Sequence, residues 1–284
     1  MVDVQAYQCD FENKWCPGCG NFMILEAMKE ALAGLELLPE KVLLVSGIGQ
    51  AAKTPHFMKC NFFHGLHGRA LPVATGAKLA NHELTILVNS GDGDCYGEGG
   101  NHFLSAIRRN IDLTLIVHNN KVYGLTKGQA SPTSDPGFIT GIQRGGVISG
   151  SFPPLAVALS MGAGFVARGF SGNRQNLSRI LQRAIRYKGF SLVDVLQPCV
   201  SFNHVNTFAW YKKRVRDLFD TDYDPADRDL AMKTAQQWGD EIPIGILYEQ
   251  PGASFTDKLP QLAGGPLVSR PREPGRVRQI MEIL

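Results

Sequence analysis

Short apolar runs that each stop at a glycine or an asparagine pair constrain this chain more than any other feature. Residues 42–46 end in Gly47-Ile48-Gly49, residues 84–89 run into Gly91-Asp92-Gly93, and residues 113–117 end in His118-Asn119-Asn120. A short, wholly apolar run reads as a strand buried on both faces. Helical spacing recurs between the runs: Ile24, Leu25, Met28, Ala31 and Leu32 within 22–35, then Phe103, Ala106 and Ile107. Further on, 155–161 reads as a helix, 164–167 as a short strand and 192–196 as another buried strand. Leu177, Ile180, Leu181, Ala184 and Ile185 line one more helix face. Strands alternating with helices predict an α/β fold, a mostly parallel sheet with helices on both faces. Such sheets bind ligands at the carboxyl ends of their strands, and the glycine-bearing loops all fall there.

The expected organisation is one domain over residues 1–250 and an extended C-terminal arm over 251–284. The arm carries Gly264-Gly265-Pro266 and Pro271-Arg272-Glu273-Pro274. Residues 210–219 read as a basic amphipathic helix and 244–248 as a last edge strand. The Gly-, Ser- and Pro-rich stretch 128–150 is long for a structureless connection, and such loops are functional or mobile. With 29 basic and 26 acidic residues the net charge is only +3, which argues against nucleic acid as a partner. The longest near-apolar stretch, 153–167, is shorter than the roughly 20 residues a membrane helix needs, so no membrane is expected. Six cysteines in 284 residues are too few for a disulfide scaffold. A soluble cytoplasmic protein with reduced thiols is the expectation.

Gly91-Asp92-Gly93 is followed, after 25 intervening residues, by Asn119-Asn120. The order strand, GDG, helix, strand, Asn-Asn brings both loops to adjacent strand ends. Glycines let the backbone approach a phosphate and leave amides free to donate. Magnesium takes oxygen ligands, usually one or two side chains plus substrate phosphates. Asp92 can supply a carboxylate oxygen, Asn120 an amide oxygen and Val122 a backbone carbonyl. The bland alternative is a turn aspartate with a helix-capping asparagine; the agreement of spacing and both strand contexts favours the metal. Cys16-Pro17-Gly18-Cys19 turns two sulfurs toward one centre. Read alone it is compatible with zinc, a redox dithiol or an iron–sulfur half-site, although no strand precedes it as a redox dithiol usually requires. Cys199 ends a buried strand, on the same rim as the diphosphate loops.

The GDG-to-NN spacing resembles the thiamine diphosphate signature. Surrounding motifs narrow it: residues 15–20 (WCPGCG), 46–49 (SGIG), 66–76 (LHGRALPVATG), 118–129 (HNNKVYGLTKGQ) and 196–199 (LQPC). Together, across roughly residues 15–248, these resemble the beta subunit of 2-oxoacid:ferredoxin oxidoreductases. The resemblance implies a thiamine diphosphate fold of the diphosphate-binding type, with Asp92, Asn120 and the Val122 carbonyl on Mg2+. It puts Gly93, Asp94, Gly124 and Leu125 on the cofactor, and Ile48, Gly49, Gln50, Ala51 and His67 along it. Leu125 is expected to wedge against the thiazolium. For His67 the alternative is a histidine bonded within its own loop. The resemblance also implies a [4Fe-4S] cluster on four thiolates. Cys16, Cys19 and Cys199 match three of them. Many relatives place the remaining cysteine directly after Ser-Gly-Ile-Gly, where this chain has Gln50; Cys60, ten residues on, is the expected substitute, with a degraded or three-cysteine cluster as the alternative. Cys9 and Cys95 read as packing residues.

The activity implied is CoA-dependent oxidative decarboxylation of a 2-oxoacid, with electrons leaving singly through the cluster to ferredoxin, and reversible. Lys53 and Lys127 match positions near the substrate, where a lysine pairs with its carboxylate; the ordinary alternative is a solvated lysine. Residues 206–214 (NTFAWYKKR) look more like 2-oxoglutarate-type than pyruvate-type subunits; pyruvate and branched-chain 2-oxoacids are the alternatives. No second strand–helix set is left to hold the aminopyrimidine, so an obligate alpha subunit is expected. The basic run 210–216 is a candidate ferredoxin-docking face, although a solvated helix face explains it as well. A non-oxidative thiamine decarboxylase subunit leaves the cysteines idle. An iron–sulfur or zinc scaffold that only relays electrons leaves the diphosphate loops idle.

Overall fold

The computed structural model describes residues 1–271 and 275–283; residues 272–274, in the arm, lie outside the described residues. In chain order the elements are α1 (Asn21–Gly34), β1 (Val42–Ser46), β2 (Asn61–His64), α2 (Ala70–Ala80), β3 (Thr85–Gly91) and α3 (Gly100–Arg109). They continue with β4 (Leu113–Asn119), β5 (Val122–Tyr123), β6 (Gln129–Ala130), α4 (Pro154–Ser160), β7 (Phe165–Phe170), α5 (Arg174–Arg186) and β8 (Phe190–Leu196). Last come α6 (Phe208–Arg214), β9 (Val215–Asp217), α7 (Arg228–Ala235), β10 (Ile242–Glu249) and α8 (Arg276–Met281). Among the described residues eight strands form one sheet in the order β2-β1-β3-β4-β8-β7-β10-β9, and β5 and β6 make a separate hairpin. The first six strands of that order run parallel; β10 is antiparallel to β7.

Successive residues of the central strands face opposite sides, so each apolar run serves two cores. Leu44, Leu87, Ile116 and Val193 pack with Ile24, Met28 and Leu32 of α1 and Leu177 and Leu181 of α5. Their neighbours Val45, Val88, Leu115 and Leu192 pack on the other face, against Leu71 of α2, Phe103 of α3, Leu155 of α4 and Ala231 of α7. That two-sided burial is why the runs lack polar alternation. It leaves the carboxyl ends of β1, β3, β4 and β8 side by side at one rim.

Three sequence expectations change in detail. The last strand, β10, is not an edge: β9 pairs beside it, Ile242 with Val215. The expected helix over 210–219 starts earlier and stops at Arg214, because Val215–Asp217 are taken into the sheet. The strand β2 and the helix α2 have no counterpart among the expected elements. β2 is an exposed edge carrying Phe62 and Phe63 in water, so it lacks the apolar run that marks a buried strand. No helix among the described residues is long and apolar enough to cross a membrane.

Candidate functional site

A cleft opens at the carboxyl rim. Ile48, Gly49, Gln50 and Ala51 after β1, His67 before α2, residues 91–94 after β3, and Asn120 and 122–126 after β4 line it. His118, buried at the end of β4, completes it. Space for a cofactor is built into the glycines. A Cβ on Gly49 or Gly91 would meet nothing within 4 Å, and one on Gly124 would meet only the Gln50 side chain at 3.6 Å. Gly49 also holds φ +117°, a left-handed conformation that glycine adopts without strain.

Asp94 fixes the shape of this cleft. Its Oδ1 accepts from the Ile48 amide (3.0 Å), the Gly68 amide (2.8 Å) and His67 Nδ1 (2.7 Å). Its Oδ2 accepts from Ser90 Oγ at 2.5 Å. One buried carboxylate thus ties the loops after β1 and before α2 to the end of β3. A Cβ at Gly47 would fall 2.2 Å from Asp94 Oδ2, so the glycine is a condition of that contact. The chain then makes a π-helical turn over Gly93–Glu98, with the Gly99 amide bonded to the Asp94 carbonyl at 2.9 Å. Such turns concentrate at functional sites. His67 stands between Asp94 and Glu98, with Nε2 3.5 Å from Glu98 Oε2.

Asp92 and Asn120 face the cleft from adjacent strands. Ser131 and Thr133 donate their hydroxyls to Asp92 Oδ2, both at 2.5 Å. Burial pushes the Asp92 carboxyl above the usual carboxylate range, and those hydroxyls pull it back. Asn120 Oδ1 accepts from the Val122 amide at 3.0 Å, turning the loop so that both residues line the cleft. Behind them, Asn119 Nδ2 donates to the Asp194 carboxylate at 3.1 Å, and Tyr96 OH donates to it at 2.7 Å. Burial raises Asp194 to about 6 despite those bonds and Arg168. His118 is neutral: burial lowers it to about 3, with Nδ1 2.8 Å from Asn21 Oδ1 and Nε2 2.9 Å from Asn89 Nδ2. The long 128–150 stretch therefore has a task, to hold Asp92 from behind. Its serines and threonine are ordinary loop residues in sequence, and only β5 pairing with β6 brings them to the rim.

The cysteines divide. Cys16 and Cys19 flank a turn closed by the Cys19 amide on the Cys16 carbonyl (3.0 Å), with Gly18 at φ +78°. Gly20 brings this turn against the end of β8: its amide reaches the Pro198 carbonyl at 3.5 Å, and a Cβ there would lie 2.9 Å from Gln197 Cγ. Ser201 Oγ donates to Cys16 Sγ (3.2 Å) and Gln197 Nε2 to Cys19 Sγ (3.5 Å). Burial pushes the Cys19 thiol up to about 11, with Cys199 and Cys16 near enough to add to the shift. Three of the four expected thiols thus share one corner.

Cys60 is not brought to them. It immediately precedes β2, whose first residue pairs with Leu43 at the start of β1. It lies at the amino rim, packed beside Tyr7 and Leu44, with its thiol pushed up to about 12 by burial. Sequence distance misled because β2 runs parallel to β1: the chain must return to the far rim before pairing. The two lysines also stay out of the cleft. Lys127 is exposed at φ +71°, and Lys53 sits half-buried in the turn Ala51–Phe57. Cys95 is buried in the core and Cys9 donates to the His56 carbonyl at 3.4 Å. Among the described residues no three His, Cys, Asp or Glu side chains are close enough to hold a single metal ion.

The residues present fit the groups implied at two places: open glycines with a buried carboxylate and amide oxygen for a magnesium diphosphate, and three converging thiols for a sulfide cluster. Comparison with known proteins agrees with the diphosphate cleft. Residues 45–195 match the thiamine pyrophosphate enzyme C-terminal TPP-binding domain, and 199–264 match the C-terminal part of the pyruvate ferredoxin oxidoreductase beta subunit. Fold and cleft therefore define a thiamine diphosphate-binding domain. The 2-oxoacid:ferredoxin oxidoreductase subunit beta of Saccharolobus solfataricus is 49% identical over 249 residues, 84% of this chain and 82% of that one. The subunit beta of 2-oxoacid:ferredoxin oxidoreductase 1 from Aeropyrum pernix is 45% identical over 258 residues, 87% and 81% of the two chains. The structure of 2-oxoglutarate:ferredoxin oxidoreductase from Magnetococcus marinus, with 2-oxoglutarate, coenzyme A and succinyl-CoA bound, matches with a TM-score of 0.91 and 32% identity over 98% of this chain and 95% of that one. This chain belongs to the 2-oxoacid:ferredoxin oxidoreductases, an oxidoreductase family, as a beta subunit, and so works with a partner subunit.

Proposed function

We propose that this subunit holds thiamine diphosphate and Mg2+ for the CoA-dependent oxidative decarboxylation of a 2-oxoacid, 2-oxoglutarate being the best-supported substrate, and passes electrons through an iron–sulfur cluster to ferredoxin. The observation that carries the reading is the shared rim: Cys16, Cys19 and Cys199 gather at the β8 end of the row of strand ends that holds Asp92 and Asn120. When bound, thiamine diphosphate supplies a carbanion for attack on the 2-oxoacid carbonyl, and a cluster accepts electrons one at a time.

In this reading Asp92, Asn120 and the Val122 carbonyl hold the metal, and the loops at Ile48–Ala51, Gly93 and Gly124 admit the diphosphate. Ser131 and Thr133 keep the Asp92 carboxylate aimed. His67, held by Asp94, is a hydrogen-bonding partner for the diphosphate. Leu125, 46% exposed, stands at the mouth where an apolar wedge would bear on the thiazolium. Lys127, exposed just past Gly124, and Lys53, in the turn after Gln50, lie outside the cleft of this subunit and are assigned to the substrate carboxylate in the closed complex. The aminopyrimidine half of the site comes from the partner. Residues 1–250 act as the cofactor-bearing unit and the segment from 251 as an arm over it.

The substrate choice draws on the Magnetococcus marinus structure's bound 2-oxoglutarate and on the 2-oxoglutarate oxidoreductase subunit KorB of Mycobacterium tuberculosis, 42% identical over 69% of this chain and 53% of that one. The test is anaerobic co-purification with the partner subunit, then CoA-dependent viologen reduction. Expected is turnover with 2-oxoglutarate at least ~10-fold above pyruvate, a margin that pocket contacts of one carboxylate readily produce. Equal turnover on both would remove the substrate assignment, and CoA-independent aldehyde formation would remove the oxidative one.

A further inference from the structure

The geometry points to a second small-molecule site in this chain, a cavity behind the Asp92 brace that takes an α-amino acid with a large apolar side chain. The inference stands apart from the proposed reaction and its cofactors. The cavity measures about 290 Å3, near the lower end of the roughly 300–1,000 Å3 of small-ligand pockets. It lies on the sheet face that carries α4 and α7, and it shares no lining residue with the cofactor cleft. Asn119 and Thr133, whose side chains meet at 2.8 Å, stand in the wall between them.

Two observations identify the ligand. The first is the placement of Arg168 and Asp194. They stand in register on β7 and β8, strands about 4.8 Å apart, and both line the cavity. They are only 5% and 2% exposed. A buried charge is costly unless it is paired, yet among the described residues no ion pair joins these two. Arg168 gives three N–H groups to the carbonyls of Ala235, Gln237 and Pro243, which leaves two of the five a guanidinium owns. Asp194 receives Asn119 Nδ2 and Tyr96 OH, and a carboxylate accepts about four such bonds. A cation and an anion with unused bonding capacity thus stand side by side in one wall.

The second observation is what surrounds them. Phe152, Pro154, Leu155, Leu196 and Trp238 make much of the remaining wall apolar. The other charged pair is already engaged: Lys121 Nζ donates to Asp135 Oδ1 and to the Thr133 carbonyl, both at 2.8 Å, and lies 4.3 Å from the Trp238 ring centre. Two basic and two acidic side chains leave the wall with no net charge, which favours a neutral ligand over an anion. An α-amino acid is neutral overall and carries its carboxylate and ammonium on one carbon. The carboxylate pairs with Arg168 and the ammonium with Asp194, both through charge-assisted hydrogen bonds. The side chain then packs against Phe152 and Trp238. A simple acid serves only the arginine, and a simple amine only the aspartate.

The test is calorimetry on the anaerobically purified complex of both subunits, with thiamine diphosphate and Mg2+ present. L-phenylalanine and L-leucine are the probes; 3-phenylpropionate lacks the ammonium and 2-phenylethylamine lacks the carboxylate. Expected is submillimolar binding of L-phenylalanine, one per beta subunit, undisturbed by saturating 2-oxoglutarate. Each analogue should bind about 10-fold more weakly or worse, the loss of one charge-assisted hydrogen bond. Asp194→Asn should weaken L-phenylalanine by about 10-fold and leave 3-phenylpropionate within twofold. Trp238→Ala, at a position 40% exposed and so tolerant of truncation, should weaken both ligands several-fold. Absence of binding by either amino acid up to about 10 mM would overturn the site. So would equal affinity for 3-phenylpropionate, displacement by 2-oxoglutarate, or affinities unchanged in both variants.

Discussion

The two halves of the rim are held in different ways. On the diphosphate side, Asp94 gathers three loops, Ser131 and Thr133 brace Asp92, and Asn119 leans on Asp194; every one of these contacts is between side chains or amides already in place. On the thiol side, the turn at 16–19 is positioned by backbone contact through Gly20, and Cys16 is exposed. The first is a preformed cradle. The second is a set of thiols whose geometry the proposed cluster would complete, as metal binding often does. The cradle should therefore be sensitive to its supporting network, and the thiol corner to its turn geometry, each without the other.

Five measurements probe that separation, from the largest expected effect down. Asp92→Ala should weaken thiamine diphosphate binding by ~10²-fold or more in calorimetry with Mg2+ present, since the proposed anionic metal ligand is lost. Cofactor binding within twofold of wild type would break the assignment. Asp94→Ala strands four donors and should cost about 3–5 kcal/mol in denaturant unfolding, far beyond a surface substitution. A loss under about 1 kcal/mol would mean the loops hold themselves. Gly20→Val should push the turn off β8 and cut the iron content of the complex by more than about half. Its thiamine diphosphate affinity should stay near wild type; a parallel loss of both would join what the comparison divides.

Asp194 offers a pH test. Its folded pKa, about 6, lies above the ordinary carboxyl value of 3.8, so the folded state binds more protons between those limits. Acidification from pH 7 to 4 should accordingly contribute about 2–3 kcal/mol of stability from this group, lost again as pH rises through about 6. Asp194→Asn should remove that contribution from the stability–pH curve; identical curves would show that the carboxyl does not titrate as its burial demands. The smallest effect is expected at Lys127→Ala, a several-fold rise in the 2-oxoacid KM of the complex at little change in kcat. Unchanged kinetics would place this lysine outside the substrate site.

The central strands were legible because parallel strands covered on both faces must be apolar throughout, and residues such as Val42–Ser46 and Leu113–Asn119 read that way locally. The edge strand β2 was not, because an exposed edge has no burial to write into its composition. The same holds for β9, three residues long and recognisable only from its pairing with β10.

Local chemistry was carried by the sequence itself: the glycines that admit a phosphate, the Asp92 and Asn120 oxygens at adjacent strand ends, and the paired sulfurs of a tight turn depend on spacing and strand order alone. Tertiary structure decided which distant groups serve them. Ser131 and Thr133 reach Asp92 across a hairpin, Asp194 supports Asn119 from a neighbouring strand, and Cys60 ends at the wrong rim although only ten residues from Gln50. The reason is geometric: spacing along a chain measures reach within a loop, whereas a parallel crossover carries the next residues to the opposite end of the sheet.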